Sequence, residues 1–338
     1  MNADLREIVE NIFGKSNSPE LLTKNKECLD KLLPTHIYKF RALNEYAVNN
    51  LCERTLWFDS PLNMNDPYDG HLIYENPFNT YREITSDFIE TMKMLGILND
   101  SNGLLNDLES KKTTFFDLLK KLDTDSEVLR NILATSEKIH EQGLGNFNLN
   151  FLKKIYICSF SERFDSILMW AHYTNNHSGF CIEYDISKSD SRYHFRQCLY
   201  PVIYDENIFD LTSYLERDKG SNDYNNLYII QAVIRKALDW SYEHEWRIIH
   251  PFGTLNGPQN LSTPKPSSVL LGSNFFNAIH LIKDESQKQL QVELALKIIK
   301  FCEQQKIILN IARYSLQKFL MERDYISYDD AYKKLREL

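Results

Sequence analysis

The stretch from Tyr156 to Asp185 constrains the fold more than any other part of the chain. Its sequence, YICSFSERFDSILMWAHYTNNHSGFCIEYD, predicts a buried strand, a short amphipathic helix at about 165–173, a loop ending at Gly179 and a second strand at 180–185. We expect Gly179 to end the loop with a positive φ. We interpret the stretch as the centre of a nucleotide-binding or catalytic domain. The side chains that are awkward to place in an apolar core are Ser159, Ser161, Trp170, His172, His177 and Glu183.

The segments before this stretch predict helices and strands in mixed order. Residues 1–33 carry apolar residues at helical spacing, which predicts an N-terminal helical cap followed by one α+β domain at 34–338. A charged block at 84–150 with apolar helical faces is predicted to be a helical insertion in that domain. The shorter predicted elements are strands at 36–41 and 55–59, a helix at 42–52 and a polar turn at 60–69.

The segments after this stretch continue the mixed pattern. The predicted elements are a strand at 197–204, a helix at 222–240, a strand ending at Ile249, short strands at 269–271 and 278–282, a helix at 285–305, a strand at 307–311 and terminal helices. Strands of low regularity between helices of unequal length argue against a doubly wound sheet. The predicted fold class is therefore α+β with a mixed or antiparallel β core.

Charge and cysteine usage restrict the classes of function. The formal net charge of -8 argues against a general electrostatic attraction to nucleic acid. The six cysteines form no CxxC pair and no metal-finger spacing, which favours reduced thiols and a cytoplasmic location. The N-terminal sequence has no apolar signal segment, and no apolar run of about 18 residues occurs, so no membrane association is expected.

Two glutamates late in the chain are candidates for acid–base chemistry. If YEHEWRII (242–249) forms a strand, Glu243, Glu245 and Arg247 project to one face, while alternate residues such as His244 face the core. Two carboxylates on one face raise each other's pKa unless a cation or hydrogen-bond donors compensate. The pattern fits either a functional pair or a surface salt-bridge ladder in which Arg247 neutralises both carboxylates.

Other polar side chains have a structural alternative beside a functional one. Ser159 and Ser161 share a face of their strand, but Ser161 also fits a helix N-cap, and no G-x-S-x-G motif supports a serine hydrolase. Arg41 ends a predicted strand, where it is either a charge at the strand edge or a ligand group whose planar guanidinium suits pyrophosphate. His172 and His177 are five residues apart, which does not match a zinc-binding helix, so no metal is expected.

Four segments together resemble a known bacterial family. In this order, and over roughly residues 35–320, they resemble the signature motifs of the family called domain of unknown function 2971, whose name implies no activity. Met64 stands where the family often has an aromatic residue, and Tyr68 replaces its usual Phe. The segments are YKFR (38–41), WFDSPLNMNDPYD (57–69), CSFSERFDSILMWAHYTNNHSGFCIEYD (158–185) and YEHEWRII (242–249).

A second resemblance implies an activity. An arginine near the first strand, a Ser-x-Ser on a central strand and a Glu-x-Glu on a late strand are similar to the R–S–E pattern of ADP-ribosyltransferases. The resemblance implies an ADP-ribosyltransferase-like fold that uses NAD as a substrate. The residues carried over are Arg41, Ser159 with Ser161, and Glu243 with Glu245, and Ser60 competes for the serine role.

The resemblance also implies a role for each residue. Glu245 would hydrogen-bond the ribose 2′-hydroxyl and stabilise developing positive charge, and Glu243 would orient or deprotonate the acceptor. Arg41 would hold the pyrophosphate, and one of the two serines would brace Glu245. The other residues assigned to the NAD site are Tyr38 beside Arg41, the candidate stacking partners Trp57, Trp170 and Tyr173, and the histidines His172 and His177 at the mouth.

Three functions are therefore compared. The first is an NAD-dependent ADP-ribosyltransferase or NAD glycohydrolase, such as a toxin or antiphage effector, with a protein or nucleic-acid acceptor. The second is a module on the same scaffold that senses a nucleotide or a protein without turnover. The third is a metal-dependent nuclease, which requires convergent carboxylates at Asp66, Asp69, Glu183 and Glu245.

Overall fold

The chain divides into two units, and the first of them contains the main sheet and the candidate site. In this computed structural model the described residues are 3–14, 18–75, 127–188, 194–215, 225, 227–250 and 257–338. The first unit comprises Met1–Gly70, Leu152–Ile208 and Asn225–Leu338, and the second comprises His71–Phe151 and Phe209–Tyr224.

Strands and helices alternate irregularly along the described residues. In chain order the strands are β1 (His36–Arg41), β2 (Thr55–Phe58), β3 (Leu72–Ile73), β4 (Tyr156–Ser161), β5 (Phe180–Asp185), β6 (Leu199–Pro201), β7 (Ile203–Asp205), β8 (Phe209–Asp210), β9 (Arg235–Ala237), β10 (Glu245–His250), β11 (Gln259–Ser262), β12 (Ser268–Leu271), β13 (Ile308–Tyr314) and β14 (Met321–Tyr325). The α-helices are Ala3–Ile12, Pro19–Leu32, Glu45–Glu53, Glu127–Leu152, Ile167–Tyr173, His194–Gln197, Thr212–Leu215, Ile230–Val233, Phe275–His280, Glu285–Gln305 and Tyr328–Arg336, and two 3-10 helices cover Pro61–Asn63 and Leu238–Glu243.

The main sheet has eight strands in the order β14–β13–β12–β5–β1–β4–β10–β6. Its neighbouring strands run antiparallel apart from β12 and β13, which are parallel. β5 lies in the middle of the sheet, and five of its six residues are buried, including Glu183. The prediction of an α+β fold with a mixed, largely antiparallel core is confirmed.

Helices cover this sheet with apolar side chains. Helix Ile167–Tyr173 begins after Ser166, whose hydroxyl accepts a hydrogen bond from the Met169 N–H. This helix buries Trp170, and the Trp170 ring meets Phe40 of β1 edge-on, with the ring centroids 5.2 Å apart. The longer helix after Asp284 buries an apolar stripe that includes Leu294, Ala295, Ile298 and Ile299.

β1 and β4 separate along their length, and this separation positions the candidate site. β1 pairs with β5 over all six of its residues but meets β4 at a single pair, Tyr38 and Ser161. Further back along β4, Ile157 exchanges backbone hydrogen bonds of 2.8 and 3.1 Å with Asp59, which follows β2. The C-terminal end of β4 therefore lies beside β1, and its N-terminal end lies beside Asp59, which follows β2. A cleft opens along β4 between these two contacts.

Several elements predicted after residue 196 are wrong. Strand 197–204 is split into β6 and β7, and the described part of the predicted helix 222–240 is the short helix Ile230–Val233, strand β9 and a 3-10 helix. β9 pairs in parallel with β7, and this long-range pairing outweighs the helical spacing of the apolar residues. The predicted strand 278–282 falls in a helix and the turn after it. Instead of terminal helices, β14 precedes a single helix.

Part of the predicted helical insertion lies outside the described residues. Residues 76–126 are not described, and the rest of the 84–150 block belongs to helix Glu127–Leu152. The predicted N-terminal cap contains helices Ala3–Ile12 and Pro19–Leu32. Within the described ranges, no helix is both long enough and apolar enough to cross a membrane.

Gly179 is required by a close approach and not by a positive φ. The left-handed conformations belong to Asn175, Asn176 and His177, with φ of 50°, 54° and 63°, so the prediction for Gly179 is wrong. A Cβ atom at Gly179 would lie 2.1 Å from the carbonyl oxygen of Arg41. Glycine therefore lets β5 begin directly against the end of β1, where Arg41 reaches the cleft.

Gly179→Ala is expected to destabilise the protein by about 1–3 kcal/mol, because the backbone of Arg41 must move to make room for the methyl group. Thermal unfolding measures the effect. The matched control is Gly145→Ala in helix Glu127–Leu152, where a Cβ atom would meet nothing within 4 Å and alanine should be neutral or stabilising. A Tm for Gly179→Ala equal to that of the parent protein would contradict the close approach.

Candidate functional site

A cavity of about 240 Å³ lies in the cleft between β1 and β4. Its walls come from these two strands, from the loop after β2, from helix Ile167–Tyr173 and from the segment that leads into β10. Because β1 and β4 pair at one position only, consecutive residues of both strands line the cavity. Of the residues assigned from the sequence, those in the cavity wall are Tyr38, Arg41, Trp57, Ser159, Ser161, Tyr173, Glu243 and Glu245.

Glu245 begins β10, and two cations hold its carboxylate. Its carboxylate accepts hydrogen bonds from Arg247 Nε at 2.7 Å and Nη2 at 3.1 Å, and from Lys236 Nζ at 3.3 Å. The Ser159 side chain on the neighbouring strand β4 helps to lower the pKa of Glu245. Only 4% of the Glu245 side chain is exposed, so the cluster is buried and is not a surface ladder, but Arg247 does pair with Glu245 as that alternative expected.

Glu243 also contacts Lys236, but it does not share the strand conformation of Glu245. It ends a 3-10 helix, and His244 follows with a φ of 46°, so Glu243 does not lie on strand β10. Its carboxylate accepts hydrogen bonds from Lys236 Nζ at 2.6 Å and from the Tyr173 hydroxyl. Ser161 Oγ donates to the Glu243 carbonyl at 2.6 Å and fixes the bend. The two glutamates therefore converge on one cation, and His244, predicted to face the core, is partly exposed.

Arg247 anchors this cluster in the sheet. Its guanidinium forms two hydrogen bonds with the Asp69 carboxylate, at 2.6 and 2.7 Å, and donates to the Val233 carbonyl at 2.6 Å. Burial alone would lower the pKa of Arg247, but the Asp69 and Glu245 carboxylates raise it well above its ordinary value. Arg247 is therefore a permanent buried cation with carboxylates on two sides.

The environments of the two glutamates push their pKa values apart. Burial alone would raise the pKa of Glu245, but Arg247 and Lys236 outweigh burial and hold that pKa below its usual value. At Glu243, burial and the charge of Glu245 outweigh Lys236 and raise the pKa above its usual value. Glu245 is therefore the ionised member of the pair, and Glu243 is the member suited to proton exchange.

Two cations lie on the β1 side of the cavity. Arg41 ends β1, and its guanidinium lies 5.7 Å from the centroid of the Tyr46 ring. Burial lowers the pKa of Arg41. Lys39, which sequence reasoning did not assign to the site, donates from Nζ to the Ser159 carbonyl at 2.7 Å. Together they give this side of the cavity a positive charge that suits phosphate groups.

Three residues assigned to the NAD site do not line the cavity. Trp170 is fully buried against Phe40, because it lies on the inner face of its helix, while Tyr173 on the adjacent face reaches the cavity. His172 Nδ1 lies 3.1 Å from a tyrosine hydroxyl. The ring of His177 packs against another tyrosine, with the centroids 5.4 Å apart. The stacking role of Trp170 is therefore wrong, and neither histidine belongs to the cavity wall.

Other site residues were missed by sequence reasoning. Asp59, Asn63 and Asn65 line the cavity, and Asn65 Nδ2 donates to the Tyr173 hydroxyl at 3.1 Å. The density of Asn, Asp and Pro in this turn is a signal that could have identified them. Lys236 carried no such signal, because it lay inside a predicted amphipathic helix.

The four carboxylates required by the nuclease interpretation do not gather at one point. Asp69 and Glu245 share Arg247. Asp66 accepts a hydrogen bond from a backbone N–H two residues on, and Glu183 accepts from a tyrosine hydroxyl and an arginine. In the part of the chain that the structure describes, no group of three or more His, Cys, Asp or Glu side chains could hold a metal ion.

Comparison with known proteins finds a match to a family model, which covers the segment containing both glutamates. The family model described as a protein of unknown function (DUF2971) matches residues 169–248. No curated protein and no solved structure matches the chain. The matched segment contains Tyr173, Lys236, Glu243 and Glu245. The predicted resemblance to the family called domain of unknown function 2971 is thereby confirmed, through the segment that supplies both glutamates of the site.

Proposed function

We propose that the protein binds NAD in the cavity between β1 and β4 and cleaves the bond between nicotinamide and ribose, transferring the ADP-ribosyl group to an acceptor or to water. The observation that supports this most is the meeting of three sequence motifs around one cavity. Arg41, the serines of β4 and the two glutamates come from distant parts of the chain and lie on or beside the neighbouring strands β1, β4 and β10. An ADP-ribosyltransferase-like fold is part of the proposal.

Glu245 has the charge and the rigidity that the bond cleavage needs. The bonding electrons leave with nicotinamide, which departs as a neutral molecule, and positive charge develops on the ribose. Glu245, buried and ionised, would stabilise this charge and accept a hydrogen bond from the ribose 2′-hydroxyl. Arg247 and Lys236 hold its carboxylate in place.

Glu243 supplies a proton acceptor. An acceptor hydroxyl or amine, or a water molecule, attacks the ribose C1′ atom and loses a proton. The raised pKa of Glu243 suits a group that takes this proton. Lys236 and Tyr173 orient its carboxylate, and the Tyr173 ring lies beside it in the cavity wall, where nicotinamide would sit.

The β1 side of the cavity supplies the contacts for the pyrophosphate. Arg41 and Lys39 both lie in the wall there, opposite β4. A planar guanidinium offers two parallel donors to a phosphate, and the lysine adds a second positive charge. This local charge opposes the acidic balance of the whole chain and favours a small anionic ligand at this position.

Release of nicotinamide from NAD by the purified protein tests the proposal. Chromatography of the reaction mixture quantifies nicotinamide with and without candidate protein and nucleic-acid acceptors, and titration calorimetry measures NAD binding. We expect both binding and release above spontaneous decay. A folded protein that neither binds NAD nor releases nicotinamide with any acceptor would contradict the proposal.

Tyr173→Phe is expected to move the acidic limb of the pH profile of kcat/KM to higher pH. The Tyr173 hydroxyl donates to Glu243 and favours its ionised form, so its removal raises the pKa of Glu243 further. Proton acceptance by Glu243 then begins at a higher pH. Tyr325→Phe, at an exposed tyrosine of β14, is the matched control. An acidic limb that stays in place or moves to lower pH would remove this role from Tyr173.

A second candidate, a nucleotide-sensing module without turnover, is favoured by one observation. Both carboxylate oxygens of Glu245 accept hydrogen bonds from Arg247, and Lys236 contacts one of them. A carboxylate saturated in this way is suited to holding the cleft in shape. Unaltered NAD affinity in a Glu243→Gln/Glu245→Gln double variant, with no nicotinamide release by the parent protein, would favour sensing over catalysis.

A further inference from the structure

The cleft between β1 and β4 has two chemically different ends. Glu245 lies opposite Ser161 at one end, whereas Ile157, further back along β4, pairs with Asp59 at the other. At about 3.3 Å per strand residue, these two ends are about 13 Å apart. The first end carries the glutamates, and the second carries Trp57 next to Asp59.

Trp57 and Tyr46 form a braced aromatic pair at the second end. Trp57 Nε1 donates to the Asp59 carboxylate at 3.0 Å, which fixes the indole. The Tyr46 ring packs edge-on against the indole, with centroids 6.0 Å apart and an angle of 79° between the ring planes. Tyr46 is 45% exposed, and its ring also lies beside the Arg41 guanidinium. An aromatic pair next to a cation, with Tyr46 exposed and Trp57 partly exposed, is a surface on which a planar base stacks.

We propose that Tyr46 and Trp57 form the subsite for the adenine ring of the dinucleotide, with Arg41 holding the pyrophosphate beside them. This inference rests on the proposed function. The order of groups along the cleft supports it. The glutamates stand at one end, Arg41 follows further along β1, and the aromatic pair stands beyond it. NAD presents the same order, from nicotinamide ribose through pyrophosphate to adenosine.

The size of the cavity supports an extension toward Tyr46. Its volume of about 240 Å³ is below the roughly 300–1,000 Å³ of pockets that enclose drug-sized ligands. A molecule with two nucleosides must therefore extend beyond the enclosed part. Tyr46 lies outside the wall itself but contacts Arg41 and Trp57, which belong to it. The sequence-based assignment placed Trp57 against nicotinamide, whereas its distance from the glutamates favours adenine.

Titration calorimetry of Tyr46→Ala with two ligands tests the assignment. NAD carries the adenine ring, and nicotinamide mononucleotide shares the nicotinamide riboside and one phosphate but lacks adenine. We expect Tyr46→Ala to weaken NAD binding about 5- to 150-fold, the range for a base that loses its aromatic partner, and to weaken binding of the mononucleotide far less. Tyr46→Phe keeps the ring and should weaken NAD binding far less than Tyr46→Ala does.

Tyr325→Ala is the matched control, since Tyr325 is 70% exposed on β14 and lies outside the cavity wall. It should leave both affinities unchanged. If Tyr46→Ala leaves NAD binding unchanged, or weakens both ligands equally, the adenine assignment fails while NAD binding by the parent protein stands. If the parent protein binds neither ligand, the proposed function fails, and the adenine assignment fails with it.

Discussion

Glu245→Gln is expected to lower the rate of nicotinamide release from NAD about 1,000-fold. The amide keeps the shape of the side chain and an acceptor oxygen for Arg247, but it removes the negative charge that would face the positively charged ribose. Because that charge acts in the transition state, kcat should fall far more than NAD affinity. Steady-state kinetics by chromatography, together with titration calorimetry, measure the two quantities separately.

A control variant and a folding measurement separate catalysis from stability. Glu53→Gln changes an exposed glutamate of helix Glu45–Glu53 outside the cavity wall and should keep the activity of the parent protein. Circular dichroism and thermal unfolding establish whether Glu245→Gln is folded. A folded Glu245→Gln protein that releases nicotinamide at a rate close to that of the parent would remove Glu245 from the catalytic role.

Arg247→Leu is expected to lower the free energy of unfolding by about 3–5 kcal/mol. The substitution removes the Arg247 donor from the buried carboxylates of Asp69 and Glu245 and from the Val233 carbonyl, and Lys236 remains as a donor to Glu245. Removing one partner of a buried ion pair costs more than the pair contributes, because the remaining charge stays desolvated. Unfolding in denaturant, followed by circular dichroism and by tryptophan fluorescence, measures the loss.

Arg313→Leu is the matched control for this stability effect. Arg313 also binds two carboxylates, Glu322 at 2.5 Å and Asp324 at 2.7 Å, but at the surface of β13 and β14. Water solvates these carboxylates once the arginine is gone, so the loss should be much smaller. Equal losses for the two variants would contradict the importance of burial in the Arg247 cluster.

Local sequence patterns predicted the strands that build the site. β1, β4, β5 and β10 lie close to their predicted positions, because each crosses the sheet interior and needs apolar residues on at least one face. The helix predicted at 285–305 also begins and ends as expected, since Asp284 caps its first turn. These elements depend on short-range spacing, which a single sequence contains.

The elements that local sequence patterns did not predict are those that depend on pairing between distant segments. Lys236 lies in β9, and the pairing of β9 with β7 replaces the predicted helix and brings this lysine to both glutamates. The convergence of Glu243 and Glu245 was expected from strand alternation, yet Glu243 lies before the strand and His244 adopts a left-handed conformation. A local pattern identifies residues that share a face, but residues far away in the chain decide which of them are buried.

A crystal structure of the Glu245→Gln protein with NAD tests the central claim most directly. The account predicts that the ribose attached to nicotinamide lies within hydrogen-bond distance of position 245 and of Glu243, with the pyrophosphate on Arg41 and the adenine ring against Tyr46. An empty cleft between β1 and β4 at saturating NAD, or NAD bound on another surface, would contradict it.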